Sequence, residues 1–307
     1  MSSNKSFIAA LIILLNHATA RSQHTDSANL AKSDTIPFVL TAHNNMSIKA
    51  VLNHTDTVYL MFHTAASGIT IVKDAAEKTS SVKWDQSEHV SSWGGENESR
   101  YSAVNSLQIG RFQWDSLSIW EDEHSGPGTD GKFGPDLFAH KVIELDFDNS
   151  QLIIHQYLPE RLSDYEKLTL IFENGFYFLE AKSLIGGQIF PNRFLIHSGF
   201  GGAILYDDQF VEESKIGEQI TITKEQELKD SFGNIIKTKK GKLPELQIGK
   251  LSFKDVPVGF FEGSIGRQKM SVLGGGLLKR FNLMIDAERE FIYIKLNTLA
   301  ALPFKDS

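Results

Sequence analysis

The chain has 307 residues, 41% of them hydrophobic, which is enough to bury the core of one large domain or two of ordinary size. A formal net charge of -7 gives no basic field for nucleic acid, and no Lys/Arg run suggests a membrane-surface patch. With zero cysteines there is no disulfide framework and no thiol for a lipid anchor.

At the N-terminus, Lys5 precedes an apolar run, Phe7 to Leu15, and Ala18-Thr19-Ala20 supplies the small residues a signal peptidase accepts. Residues 1–20 are therefore expected to be a signal peptide cleaved after Ala20, and the mature protein to be secreted or periplasmic, with no membrane anchor. The apolar run is shorter than the roughly 20 residues a membrane-spanning helix needs. Residues 21–35 are polar and aperiodic and predict a disordered lead-in, with the fold beginning near Ile36.

From there the chain repeats itself. MFHTAASGITIVKD, Met61 to Asp74, matches LIHSGFGGAILYDD, Leu195 to Asp208, so that His63 falls on His197. SLQIGRFQWDSLSIW, Ser106 to Trp120, is echoed by ELQIGKLSFKDVPVGFF, Glu245 to Phe261. FGPDLFAHKVIELDFDNSQLIIH, Phe133 to His155, is echoed by LGGGLLKRFNLMIDAEREFIYIK, Leu273 to Lys295, pairing Gly134 with Gly274, Asp146 with Asp286 and Ile154 with Ile294 at one constant offset. Three blocks in the same order mean two copies of one unit, 36–158 and 159–300, followed by a short tail, 301–307. Repeat arrays have periods of about 20 to 50 residues and three or more copies, so this is a pair of related lobes and not a solenoid.

Each unit reads as β. Val58 to Met61, Lys141 to Asp146, Gln151 to His155, Lys167 to Phe172, Phe194 to His197, Phe281 to Asp286 and Phe291 to Lys295 are short runs rich in branched and aromatic residues. Asp148-Asn149-Ser150 and Ala287-Glu288-Arg289-Glu290 supply turns, and Asp146 and Asp286 read as turn residues. Strands at this spacing predict a mostly antiparallel sandwich or barrel, with two short helices, Pro135 to His140 and Gly275 to Arg280. The clusters Gly199-Phe200-Gly201-Gly202 and Gly274-Gly275-Gly276 lack the phosphate-loop patterns and read as tight turns. The sequons at Asn45, Asn53 and Asn97 carry weight only in a eukaryotic secretory host.

An apolar strand entering X-Thr/Ser-small, followed by an apolar-apolar-Gly step, a short helix and a final hairpin, resembles the bilobal aspartic proteases, and most closely the bacterial pepsin and retropepsin-like proteins. The resemblance implies an all-β, two-lobed fold of internally duplicated β-barrel lobes. Its apolar-apolar-Gly step corresponds to Lys132-Phe133-Gly134, after Asp130-Gly131, and to Val272-Leu273-Gly274. In that family each lobe offers Asp-Thr/Ser-Gly, and the two aspartates share a proton and hold a water. Here the two motifs are His63-Thr64-Ala65 and His197-Ser198-Gly199. Thr64 and Ser198 keep the hydroxyls that in the family brace the two loops; Gly199 keeps the backbone freedom of the turn, and Ala65 gives some of it up. Trp93-Gly94-Gly95 corresponds to the tip of the first flap and is expected to cover a ligand or to be a plain hairpin turn. Ser231-Phe232-Gly233-Asn234 is its counterpart in the second lobe. Asp130 reads as a turn former.

Two facing imidazoles carry zero or one positive charge where two carboxyls carry one negative charge, so standard aspartic proteolysis is expected to be lost. Three outcomes stay open. The chain is a pseudoprotease that binds a peptide or other small ligand between the lobes. Or one histidine is the base and the other, protonated, the acid of a hydrolase acting near neutral pH. Or His63 and His197 form half of a zinc or copper site, with His89 or His124 in reach as a further ligand. A monomer is expected, since the duplication already completes a two-lobed unit.

Overall fold

The computed structural model of the protein describes residues 33–92, 95–160, 162–229, 235–262 and 268–304. The expected signal peptide, and Trp93, Gly94 and Ser231 to Asn234, lie outside them. Among the described residues no helix is long and apolar enough to cross a membrane.

The architecture is all-β and two-lobed, and the repeat seen in the sequence is drawn twice in the strands. In the first half Met46–Leu52, Asp56–Phe62, Gly131–Phe133, Ile69–Val72, Phe112–Asp122 and Gly95–Ile109 are neighbours in that order, and the last strand returns to the first through Val51 opposite Gln108 and Leu52 opposite Leu107. In the second half Phe176–Ile185, Gln188–His197, Ser271–Gly274, Ile204–Leu205, Leu251–Glu262 and Ile235–Ile248 repeat the order, and Lys182 opposite Gln247 closes the ring. Each half is thus a closed barrel, which leaves no unpaired edge on the strands that carry the two histidine loops. The echoed Leu-Gln-Ile-Gly segments end matching hairpins, where Gly110 and Gly249 take φ of 58° and 57°, a left-handed turn suited to glycine.

A third sheet joins the halves. Ser33–Pro37, Gln151–His155 and Val142–Asp146 come from one copy, and Phe281–Ile285, Phe291–Leu296 and Glu166–Thr169 from the other; the seam is Ile143, Glu144 and Leu145 opposite Ile285, Met284 and Leu283. One apolar cluster runs from Ile48, Leu60 and Phe133 through Leu145, Leu283 and Ile285 to Ile196, Leu243 and Leu273. Buried polar groups pin the seam. Asn282 accepts from the Phe147 backbone N–H at 3.0 Å and donates to Asp146 at 3.1 Å and Asp148 at 3.0 Å. Arg289 donates to the carbonyls of Phe138 and Lys141 at 2.9 and 2.8 Å.

Three sequence expectations change. The chain is in a strand by Ser33, because Ser33, Asp34 and Thr35 pair with His155, Ile154 and Ile153, so the lead-in expected to reach residue 35 is shorter. Lys167 to Phe172 is not one strand: the chain turns at Leu170, whose N–H donates to the Glu290 carbonyl, and Ile171–Glu173 passes into the second barrel sheet. The helix expected over Pro135 to His140 is a single 3-10 turn, Pro135–Phe138, and the second is Gly275–Leu278. The tail, from Leu302 on, stays docked as far as Phe304, whose ring lies under the Arg280 guanidinium at 3.6 Å.

Because Asn282 is itself buried and is the acceptor of the buried Phe147 N–H of the other half, Asn282→Leu should lower the unfolding free energy by about 1–3 kcal/mol in urea titrations. A change within about 0.5 kcal/mol would show that the seam does not depend on it.

Candidate functional site

Both histidines stand at the end of a barrel strand that runs parallel to the apolar-apolar-Gly strand. Leu60, Met61 and Phe62 lie opposite Gly131, Lys132 and Phe133, and the His63 N–H donates to the Phe133 carbonyl at 3.0 Å. In the second half Phe194 to His197 lie opposite Ser271 to Gly274. The strand after each turn, Ile69–Val72 or Ile204–Leu205, pairs antiparallel with the other edge of the same short strand, so that each loop is held from both sides. Gly131 has to be glycine: a Cβ there would sit 2.0 Å from the Thr70 carbonyl oxygen. The same closeness gives Asp130 its role, since its carboxylate accepts from the Tyr59 N–H at 2.8 Å and braces the turn.

The two loops meet through their hydroxyls. The Thr64 N–H donates to Ser198 Oγ at 2.9 Å and the Ser198 N–H donates to Thr64 Oγ1 at 3.0 Å. Each hydroxyl then donates across to the strand of the other half, Thr64 Oγ1 to the Ile196 carbonyl at 2.7 Å and Ser198 Oγ to the Phe62 carbonyl at 2.8 Å. Both side chains are buried, at 1% and 2% exposure, so losing either hydroxyl would strand a buried N–H at a cost of about 1–3 kcal/mol. Asn45, which the sequence marked only as a sequon, adds two bonds, donating to the Ser198 and Gly199 carbonyls at 3.1 and 3.2 Å.

This brace sets the imidazoles against each other. The His63 and His197 rings lie 4.5 Å apart between centroids, edge to face at 65°. In each ring Nδ1 is an acceptor: the Ala65 N–H donates to His63 Nδ1 at 3.1 Å, and the Phe200 N–H donates to His197 Nδ1 at 2.9 Å. The proton of each neutral ring is thereby assigned to Nε2. Protonating Nδ1 would set N–H against N–H, and burial opposes charge in any case. Desolvation, then the neighbouring His197, then the Lys132 ammonium hold the His63 pKa well below its ordinary value; desolvation, with Lys132 adding, lowers that of His197 to about 4. The site at neutral pH is two uncharged rings, each offering an Nε2–H donor.

No protein-family model matches the chain, and no curated protein matches it.

Gly199 serves the pair in a way the sequence reading misplaced. Its φ is not in the left-handed region; a Cβ there would lie 2.2 Å from His63 Cδ2 and 2.3 Å from Nε2, so it is space and not backbone freedom that calls for glycine. Ala65 is likewise outside the left-handed region, and its half-buried methyl packs on the Phe178, Leu195 and Val272 cluster, so the first loop gives up nothing by having a side chain. Of the flap residues Gly95 is described, as the first residue of its strand opposite Ser92. His89 lies on the preceding strand opposite Glu98 and His124 in an exposed turn, and among the described residues no three His, Cys, Asp or Glu side chains come together. With both Nδ1 atoms engaged and both Nε2 atoms protonated, the pair as it stands presents a metal no free lone pair, and even with both Nε2 atoms freed it would fall short of the three protein ligands of a catalytic zinc.

Lys132 was passed over because it sits inside an otherwise apolar step. Its neighbours in register, Met61 and Thr70, share its face, the face opposite the buried Phe62 and Phe133, and its ammonium pairs with Asp122. A charge breaking that pattern was the available signal.

The lowered pKa values make stability depend on acidity. Between about pH 6.5 and 4 the unfolded chain binds a proton at His197 that the folded chain does not, so the contribution of the neutral ring is whole above about 6.5 and is lost as the pH falls toward 4. Urea denaturation from pH 7 to pH 4 should cost the native chain roughly 3 kcal/mol more than a His197→Asn variant. Equal losses in the two proteins would contradict the shift.

Proposed function

We propose that this chain is a pepsin-type, exported, monomeric protein of the aspartic-protease kind whose catalytic dyad has been replaced by His63 and His197, and that it binds a peptide or another small ligand between its lobes without cutting it. The observation that carries the reading is the neutral imidazole pair at 4.5 Å, set on two loops locked by reciprocal Thr64 and Ser198 hydrogen bonds. Duplicated loops, each passing over a parallel Gly-ended strand, and a six-stranded sheet shared by the halves support the pepsin-type assignment.

The chemistry follows from charge. Aspartic proteolysis needs one ionised carboxylate as base and one protonated carboxyl as acid at a shared water. Two Nε2–H imidazoles supply two donors and no base at Nε2, and the cation needed for an imidazole and imidazolium division of labour is suppressed by burial and by Lys132. What such a pair does well is hold an acceptor, such as a peptide carbonyl, in a rigid frame. The same replacement in both copies fits a retained pair better than decay of an idle site.

A diverse peptide library incubated with the mature chain from pH 4 to 9 should be recovered uncut, with a subset retained on the protein. The His63→Asp, His197→Asp double variant should gain cleavage on the acid side of that range. Cuts made by the native chain and lost in a His63→Asn, His197→Asn variant would overturn the reading in favour of a histidine-based hydrolase.

A further inference from the structure

A second feature lies beside the histidine loops and does not depend on what the imidazoles do. A pocket of about 510 Å³ opens between the halves, with Gly199 in its wall, and its charged lining side chains among the described residues are Lys279 and Arg280; none of the described lining residues is acidic. Lys279 Nζ donates to Asn44 Oδ1 at 2.8 Å. Arg280 is the more telling. It is 2% exposed, its Nη1 donates to the carbonyls of Leu299, Ala300 and Leu302 at 3.1, 3.1 and 2.6 Å, and Phe304 stacks on it.

Carbonyl oxygens orient a guanidinium but do not neutralise it. Among the described residues no carboxylate pairs with Arg280, its Nε is buried with no hydrogen-bond partner, and burial alone pushes its pKa below the ordinary value. A second orphan lines the same pocket: Asn45, 1% exposed, spends its Nδ2 on the Ser198 and Gly199 carbonyls and leaves Oδ1 without a partner. A buried cation without a counter-ion is expensive to maintain, so a chain that keeps one facing a cavity has a site whose occupancy by an anion is favoured. Arginine presents its donors as a planar fork that matches a carboxylate or a phosphate, and the free Asn45 Oδ1 suits an N–H or O–H carried by the same ligand.

We infer that this pocket is an oxyanion site in which Arg280 receives a carboxylate or phosphate group and Asn45 Oδ1 receives a donor from the same molecule. The occupant is a small acidic ligand or the acidic side chain of a peptide lying beside the histidine loops. Asn45 touches both places, since the carbonyls it holds belong to Ser198 and Gly199.

The test uses the full mature chain and follows the Arg280 Nε–H resonance by NMR, with calorimetry in parallel, during titration with N-acetylglutamate N-methylamide, the uncharged N-acetylglutamine N-methylamide and inorganic phosphate. Saturable shifts with at least one of the two anions, and none with the neutral amide, are expected; the responding anion tells a carboxylate from a phosphate ligand. Arg280→Gln should weaken binding at least tenfold. Because that variant also loses the carbonyl bonds, Ala42→Asp is the companion: the position is exposed, lines the pocket and would supply a competing carboxylate, again weakening binding at least tenfold. An Arg280 signal that neither anion shifts, an equal response to the uncharged N-acetylglutamine N-methylamide, or unchanged affinity in Ala42→Asp would overturn the assignment.

Discussion

The arrangement depends on one reciprocal contact, the four hydrogen bonds by which Thr64 and Ser198 exchange N–H and hydroxyl groups across the two halves. Each hydroxyl accepts from the opposite loop and donates to the opposite strand, so neither loop can shift without breaking bonds in both barrels. The closed barrels and the shared sheet bring the loops to within reach; the brace fixes them. Everything distinctive about the site follows from that placement: ring contact at 4.5 Å, Gly199 pressed on His63, and both Nδ1 atoms turned back onto their own loops.

Once the rings are held there, electrostatics leaves little choice of protonation state. Two imidazoles in contact away from water cannot both be charged, and the Lys132 ammonium disfavours even one charge. The braced loops thus carry a pair that is neutral and donates. Nearby, Arg280 faces the opposite problem, a charge that burial disfavours and that no described carboxylate relieves. Both sites offer donors, and both favour ligands rich in acceptor oxygens.

Much of this was legible in the sequence because duplication is a pattern that survives without any alignment. His63 opposite His197, Gly134 opposite Gly274 and the twin Leu-Gln-Ile-Gly hairpins are matched in space as in sequence. The long hairpin strands Gln86–Ser92 and Thr221–Lys229 were not, since their sequences are polar and show no apolar alternation. Leu170 was invisible for another reason: an apolar run gives no sign that the chain leaves one sheet for another in its middle. Asn45, Lys132 and Arg280 carry no sign in sequence of their place at the site, and what sets them apart is a partner, or the want of one, that only the fold supplies; Asn45 and Ser198 are 153 residues apart in the chain. Glycine at 199 was recognised for the wrong property, since sequence suggests backbone freedom first and cannot show a ring edge 2.2 Å from a missing Cβ.

The central claim is that the braced histidines are neutral Nε2–H tautomers in contact. Nitrogen-15 and proton NMR of the two imidazoles through a pH titration, read beside a Ser198→Ala variant, tests it most directly. The account predicts that both rings keep an Nε2–H signal and an unprotonated Nδ1 from pH 8 to about 5, His197 titrating only near 4, and that the variant, with its brace broken, moves both toward the ordinary value. A ring that takes up its proton near the ordinary histidine pKa of about 6.5 in the native chain would contradict it.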